Sequence, residues 1–193
     1  GENSDHVLVF DGGEAIGIGT NITANVTPAT VLDGVTVANG QARGGFPNDS
    51  GGGLYCDGRG SDNECSPTIA NVIFVGNTAS HGGAIYNNGG FYGTSSPQVT
   101  NVVLVGNTAD KGSAIYNFGQ SGISSPRITH GTFMGNAVSG SDAGGTIYNN
   151  GSAFGTSHPQ ITNTMLWGNA SGSADAIVNN EAAPAYRHTL VQG

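Results

Sequence analysis

The chain repeats itself, and the repeat limits what it can fold into more than any single residue does. SPTIANVIFVGNTASHGGAIYNNGGFYGTS (66–95), SPQVTNVVLVGNTADKGSAIYNFGQSGIS (96–124), SPRITHGTFMGNAVSGSDAGGTIYNNGSAFGTS (125–157) and HPQITNTMLWGNASGSADAIVNNEAA (158–183) align from end to end. A fifth unit precedes them: VLDGVTVANGQA (31–42) aligns with TIANVIFVGNTA (68–79), and GGGLYC (51–56) with GGAIYN (82–87). PAYRHTLVQG (184–193) begins another. A unit this short cannot bury an apolar face alone, so successive units must stack on one another.

Each unit holds two β-rich blocks, one around its apolar tetrad and one around AIYN, joined by Gly, Asn, Ser and Thr. Apolar residues show no helical spacing, and Gly and Asn disfavour helix. The expected fold is all-β, a right-handed parallel β-helix (β-solenoid) with roughly 30 residues per coil. Leucine-rich repeats have a similar period but need a dense leucine signature, which is missing here. The expected organisation is one β-helix domain over residues 1–193. Residues 1–30 form an N-terminal strand and turn region, 31–183 five coils, and 184–193 the start of a further coil.

Composition excludes several alternatives. Charged residues are only 9% and Gly number 34, but the 36% hydrophobic residues recur in regular blocks, unlike a disordered tract. A formal net charge of −8 with five Lys plus Arg leaves no basic patch for nucleic acid. No apolar run reaches the length of a membrane span, and GENSDHVLVFDGG lacks the pattern of a signal peptide, so the chain is expected to be soluble as given.

Stacking gives the recurrent residues their roles. Asn77, Asn107, Asn136 and Asn169 follow Gly at a corner, where Asn tolerates unusual backbone angles and can hydrogen-bond its counterpart one coil away. Asn87, Asn117, Asn149 and Asn179 predict a second ladder. Pro67, Pro97, Pro126, Pro159 and Pro184 mark the start of each coil, and Gly82, Gly83, Gly144 and Gly145 allow a tight bend.

The apolar tetrad raises a separate question, because VIFV is apolar on consecutive positions instead of alternating. Phe74, Leu104, Phe133 and Leu166 are always large and apolar, which points them inward with Ile69, Val99, Ile128 and Ile161. Their neighbours then face outward. These are Ile73, Val103, Thr132 and Met165 in one column, and Val75, Val105, Met134 and Trp167 in the other. Such an outer stripe needs a cover. The candidates are HVLVF (6–10) or Gly-rich loops, a second copy of the chain, or a ligand.

The two cysteines, Cys56 and Cys65, lie in the polar loop CDGRGSDNEC, short enough for a disulfide, which would imply an oxidising compartment. Asp57, Asp62 and Glu64 in the same loop fall short of a calcium signature. His6, His81, His130, His158 and His188 sit at different repeat positions, with His130 replacing the Asn of Asn71, Asn101 and Asn163 in a ladder. No cofactor or metal site is expected. Catalysis is the alternative class: Arg43, Asp110, Lys111, Asp142 and Asp175 fall in coil-to-coil loops, as in a polysaccharide lyase or hydrolase groove, but form no repeated acid/base pair. Sequons begin at Asn21, Asn25, Asn48, Asn150 and Asn169.

The paired motifs Gly82-Gly83-Ala84-Ile85 with Phe74-Val75-Gly76-Asn77, Gly112-Ser113-Ala114-Ile115 with Leu104-Val105-Gly106-Asn107, and Gly144-Gly145-Thr146-Ile147 with Phe133-Met134-Gly135-Asn136 carry a resemblance. The last coil keeps Ala176-Ile177 beside Leu166-Trp167-Gly168-Asn169. Over residues 31–183 the chain resembles the passenger domains of chlamydial polymorphic membrane proteins, built from GGA(I/L/V) and FxxN motifs, and other bacterial surface β-helix proteins. The resemblance implies an exported, extracellular or cell-surface solenoid with a structural or adhesive role. Self-association through open coil ends or the outer stripe, as a filament or surface-layer-like subunit, is the expected mode. A cell-surface or glycan ligand is the other expected partner. A glycan-binding β-helix is the alternative outside catalysis.

Overall fold

The computed structural model describes residues 6–11, 25–140, 144–170 and 176–192. Every regular element among them is a β-strand, and strands pair in parallel with their counterparts in adjacent repeats. The chain is a parallel β-solenoid whose coils are the sequence repeats. One sheet stacks Leu8–Asp11, Leu54–Asp57, Ile85–Asn88, Ile115–Phe118, Ile147–Asn150 and Ile177–Asn180. A second, longer sheet stacks the tetrad strands: Thr36–Ala38, Ile73–Val75, Gln98–Val105, Arg127–Met134, Met165–Trp167 and Leu190–Val191. Beside them in the same sheet run Val31–Asp33, Thr68–Ala70, Gln160–Thr162 and Ala185–Arg187. A narrow third ladder pairs Thr108–Ala109 with Ala137–Val138.

Register explains why the repeats look as they do. Ile85, Ile115 and Ile147 stand directly opposite one another, as do Phe74, Leu104, Phe133 and Leu166. With Ile69, Val99, Ile128 and Ile161 these columns fill the interior, each side chain at most 2% exposed. Burying one such side chain is worth about 1.5–3 kcal/mol, so most of the stabilisation comes from these columns and not from the loops. The proline carbonyls continue the ladder at the corner: Gln98, Arg127, Gln160 and Ala185 donate their backbone N–H to Pro67, Pro97, Pro126 and Pro159. Each proline sits where its own missing N–H breaks no strand.

Two columns of left-handed backbone shape the second sheet. Gly76, Gly106, Gly135 and Gly168 have φ between +60° and +64°. The unusual angles expected of Asn77, Asn107, Asn136 and Asn169 therefore fall on the preceding glycines, and the asparagines only supply side chains. The first coil inverts the pair: Asn39 takes the left-handed angle (φ +58°), and Gly40 occupies the ladder position. A side chain at Gly40 would run into the carbonyl of Gly52, which excludes Asn there. The other column, Asn71, Asn101, His130, Asn163 and His188, has φ between +47° and +55° and bends each tetrad strand away from its entry strand.

The segment containing HVLVF does not cover the outer stripe. Leu8–Asp11 pairs instead with Leu54–Asp57 and forms the first strand of the AIYN sheet. The physical reason is register: Leu8 and Phe10 extend the Leu54 and Ile85 side of that sheet and pack against the same core.

Candidate functional site

Two asparagine ladders run through the interior. Asn77 Nδ2 donates to Asn107 Oδ1 at 2.9 Å, Asn107 to Asn136 at 2.9 Å, and Asn136 to Asn169 at 2.9 Å. The second N–H of each amide goes to a backbone carbonyl, of Val37, Phe74, Leu104 and Phe133 in turn. Each oxygen also accepts the backbone N–H of the asparagine one coil earlier, and Gly40 N–H caps the first of them at 2.9 Å. Every polar atom of these buried amides is thereby paired, which is what allows them in the core. In the second ladder Asn87, Asn117, Asn149 and Asn179 are linked at 2.8 Å per step. Cys56 stands in that column one coil before Asn87 and, as a disulfide, has no donor to offer. Asn87 Oδ1 is buried without a hydrogen-bond partner as a result.

Cys56 and Cys65 are joined by a disulfide with Cα atoms 5.7 Å apart, and both are fully buried. Asp57 accepts from Asn88 Nδ2 at 3.0 Å and pairs with Arg59 at 3.2 Å. The loop's acidic residues are spent separately: Asp62 is exposed, and Glu64 uses its backbone N–H on Asn25. Among the described residues no three His, Cys, Asp or Glu gather as metal ligands.

The outward face of the AIYN sheet carries a feature the sequence reading passed over. Tyr55, Tyr86, Tyr116 and Tyr148 stack with ring centroids 5.4, 5.1 and 4.9 Å apart and planes within 15° of parallel. Phe46 stands edge-on to Tyr55 and Tyr86, Phe118 lies beside Tyr86 and Tyr116, and His81 stands edge-on to Tyr116. The tyrosine shared by the LYC, AIY and TIY motifs was the available signal. Burial pushes Tyr116 up to about 12, the hydrogen bond from Asn150 opposing and the neighbouring Tyr148 adding to it. Tyr86 is driven well above its ordinary value, by burial first and then by Tyr116 and Tyr55. His81 is lowered, chiefly by burial.

Of the residues named for catalysis, Arg43, Asp110 and Lys111 are among the described ones. Asp110 accepts from Ser139 Oγ at 2.7 Å, the Lys111 ammonium lies 5.8 Å from the Tyr148 ring centre, and Arg43 is exposed in the loop of the first coil. Asp142 and Asp175 lie outside the described residues, as do Asn21 and its sequon.

The longest surface feature is the outer face of the second sheet. Register aligns Ile73, Val103, Thr132, Met165 and Leu190 in one column and Val75, Val105, Met134 and Trp167 in the next. Ile73, Val103, Met134 and Trp167 are 37–50% exposed, and Val75, Val105 and Met165 half-buried. A sheet with its core face filled and its outer face apolar over successive coils has room for a partner on that face. Residues 71–88, which include the tetrad strand and the AIYN strand of one coil, match the Chlamydia polymorphic membrane protein (Chlamydia_PMP) repeat. No curated protein and no solved structure matches the chain. No helix among the described residues is long and apolar enough to cross a membrane.

Proposed function

We propose that the protein is a structural or adhesive solenoid of a cell surface that associates with further copies of itself through the outer apolar stripe. The single observation behind this reading is the stripe: two columns, in register over successive coils, of side chains that one-sided sheets normally make polar. The match of one coil to a repeat of a membrane protein family supports the surface location. The mostly satisfied ladders support a scaffold role.

Trp167 is the chain's only tryptophan and lies in the stripe, which makes its emission a direct report. Sedimentation velocity over a concentration series is expected to show growing assemblies, with Trp167 emission shifting to the blue in step. Val103→Lys together with Met134→Lys is expected to leave a folded monomer with unshifted emission. Monomers at every concentration in the unmodified protein, with constant emission, would refute the reading.

A further inference from the structure

A second surface lies at the loop edge of the coils, away from the stripe. Residues Phe91 and Tyr92 take consecutive left-handed angles (φ +55° and +69°), and so do Ala153 and Phe154 (φ +54° and +64°). Ser121, on the coil between them, does the same (φ +55°). Non-glycine residues pay about 1–2 kcal/mol for this conformation, and bulky aromatic ones are the least expected there. Glycine would relieve the cost, and the chain uses glycine freely, with 34 in all. The strained turns nevertheless hold large apolar side chains out in solvent: Tyr92 is 78% exposed and Phe154 fully so. Single exposed aromatics need no explanation, but aromatics held out at a backbone cost point to a use.

These turns frame a groove. Tyr92, Gly122, Ile123 and Phe154 line a depression of about 380 Å³ together with the hydroxyl-bearing Thr94, Ser121 and Thr156. Thr94, Ile123 and Thr156 are aligned by parallel bridges, so the floor is ladder backbone and keeps its shape. Tyr92 and Phe154 stand two coils apart, roughly 9–10 Å by the usual strand spacing. The intervening coil carries Ser121 where its neighbours carry the Tyr92 and Phe154 rings. No charged side chain lines the groove.

From these observations we infer that the groove is a binding subsite for a neutral, β-linked polysaccharide, whose flat sugar rings stack on Tyr92 and Phe154. Such a ligand has an apolar ring face for the aromatics and equatorial hydroxyls for Thr94, Ser121 and Thr156. An anionic polymer gains nothing from a lining without cations. The subsite is independent of self-association, because the groove lies at the loop edge of the coils and the stripe on the outer face of the second sheet.

Saturation-transfer NMR and calorimetry with soluble hexaoses of β-linked glucose, N-acetylglucosamine and mannose would test the inference, with oligogalacturonate as the charged comparison. At least one neutral hexaose is expected to bind. Tyr92→Gly and Phe154→Gly are each expected to weaken it about tenfold or more, the cost of losing a central aromatic contact. Both changes relieve left-handed strain, so melting temperatures should rise while binding falls. Tyr92→Asn, which tolerates the same angle, serves as a second fold-preserving variant and should weaken binding equally. Absence of binding by every neutral hexaose, binding that survives both glycine substitutions, or preference for oligogalacturonate would each overturn the inference.

Discussion

Replacing Asn107 with alanine should cost far more than an ordinary polar-to-alanine change. Asn107 Oδ1 accepts two hydrogen bonds from Asn77, one from the backbone N–H at 3.0 Å and one from Nδ2 at 2.9 Å, and Asn107 Nδ2 donates to the Phe74 carbonyl at 3.1 Å and to Asn136 Oδ1 at 2.9 Å. Asn77 and Asn107 are fully buried, so no water replaces the lost partner. Truncation strands two donors on Asn77, each at about 1–3 kcal/mol, for a total loss of about 2–6 kcal/mol. Stabilities are about 5–15 kcal/mol, so a loss of this size is a large fraction of the whole and should lower the unfolding midpoint markedly. The matched control is Asn101→Gly. Asn101 belongs to an exposed ladder, donating to Asn71 Oδ1 at 2.6 Å, and glycine relieves its positive φ of 52°. Its net effect should lie within about 1 kcal/mol of zero. Urea unfolding followed by far-UV circular dichroism and by Trp167 emission measures both variants. A loss below about 1 kcal/mol for N107A, or equal losses in the two variants, would refute the view that the buried ladder is held by complete pairing.

The disulfide closes a short loop, and its removal by Cys56→Ala with Cys65→Ala should cost roughly 2–3 kcal/mol. Melting with and without reductant checks this, since the unmodified protein should respond to reductant and the double variant should not. Tyr116 and Tyr86 keep their protons in the fold at a pH where an unfolded tyrosine has lost its own, near 10. Their contribution is therefore fully present below pH 10 and is lost as pH rises through about 12 for Tyr116. A spectrophotometric tyrosinate titration should show these two ionising together with unfolding, and early ionisation of all tyrosines would contradict the packed stack. His81 shifts the other way: its folded value lies below the ordinary 6.5, so the unfolded chain takes up the proton first. Its contribution is full above about pH 6.5 and is lost as pH falls from there through the folded value. His81→Gln should flatten the melting temperature over that range, and an unchanged slope would exclude His81 as its source.

The architecture was legible because a solenoid writes its register into the sequence. Phe74, Leu104, Phe133 and Leu166 recur at equivalent places since each stacks on the next. Direct alignment of the repeats is thus alignment of strands. The outward direction of Ile73 and Trp167 followed from the alternation of a strand. What the sequence hid were features that depend on backbone angle or on contacts outside the repeat. Gly and Asn both tolerate left-handed backbone, so Gly76-Asn77 does not say which residue bends; only the inverted Asn39-Gly40 pair hints at it. The tyrosine column was visible as a repeat, but its depth was not, because Phe46 reaches it from a loop with no counterpart in later coils and His81 stands at a repeat position occupied by other residues elsewhere. HVLVF, one of the candidate covers of the stripe, pairs with the other sheet: two apolar sheets were open to one apolar strand, and sequence alone does not choose between them.

The buried asparagine ladders also have a sense. In both, the amide-to-amide bonds run one way, each Nδ2 donating to the Oδ1 one coil later. Amide dipoles aligned head to tail add, as peptide units do along a helix, so each buried ladder has a direction along the axis, while the pairs Asn101 to Asn71 and Asn180 to Asn150 run the other way. In the second ladder the two directions are chemically distinct: an oxygen lone pair faces the earlier coil, left vacant at Asn87, and an amide hydrogen faces the later one. A coil inserted in reverse would set oxygen against oxygen. Growth of the structure by duplication of whole coils keeps these ladders unbroken in only one orientation.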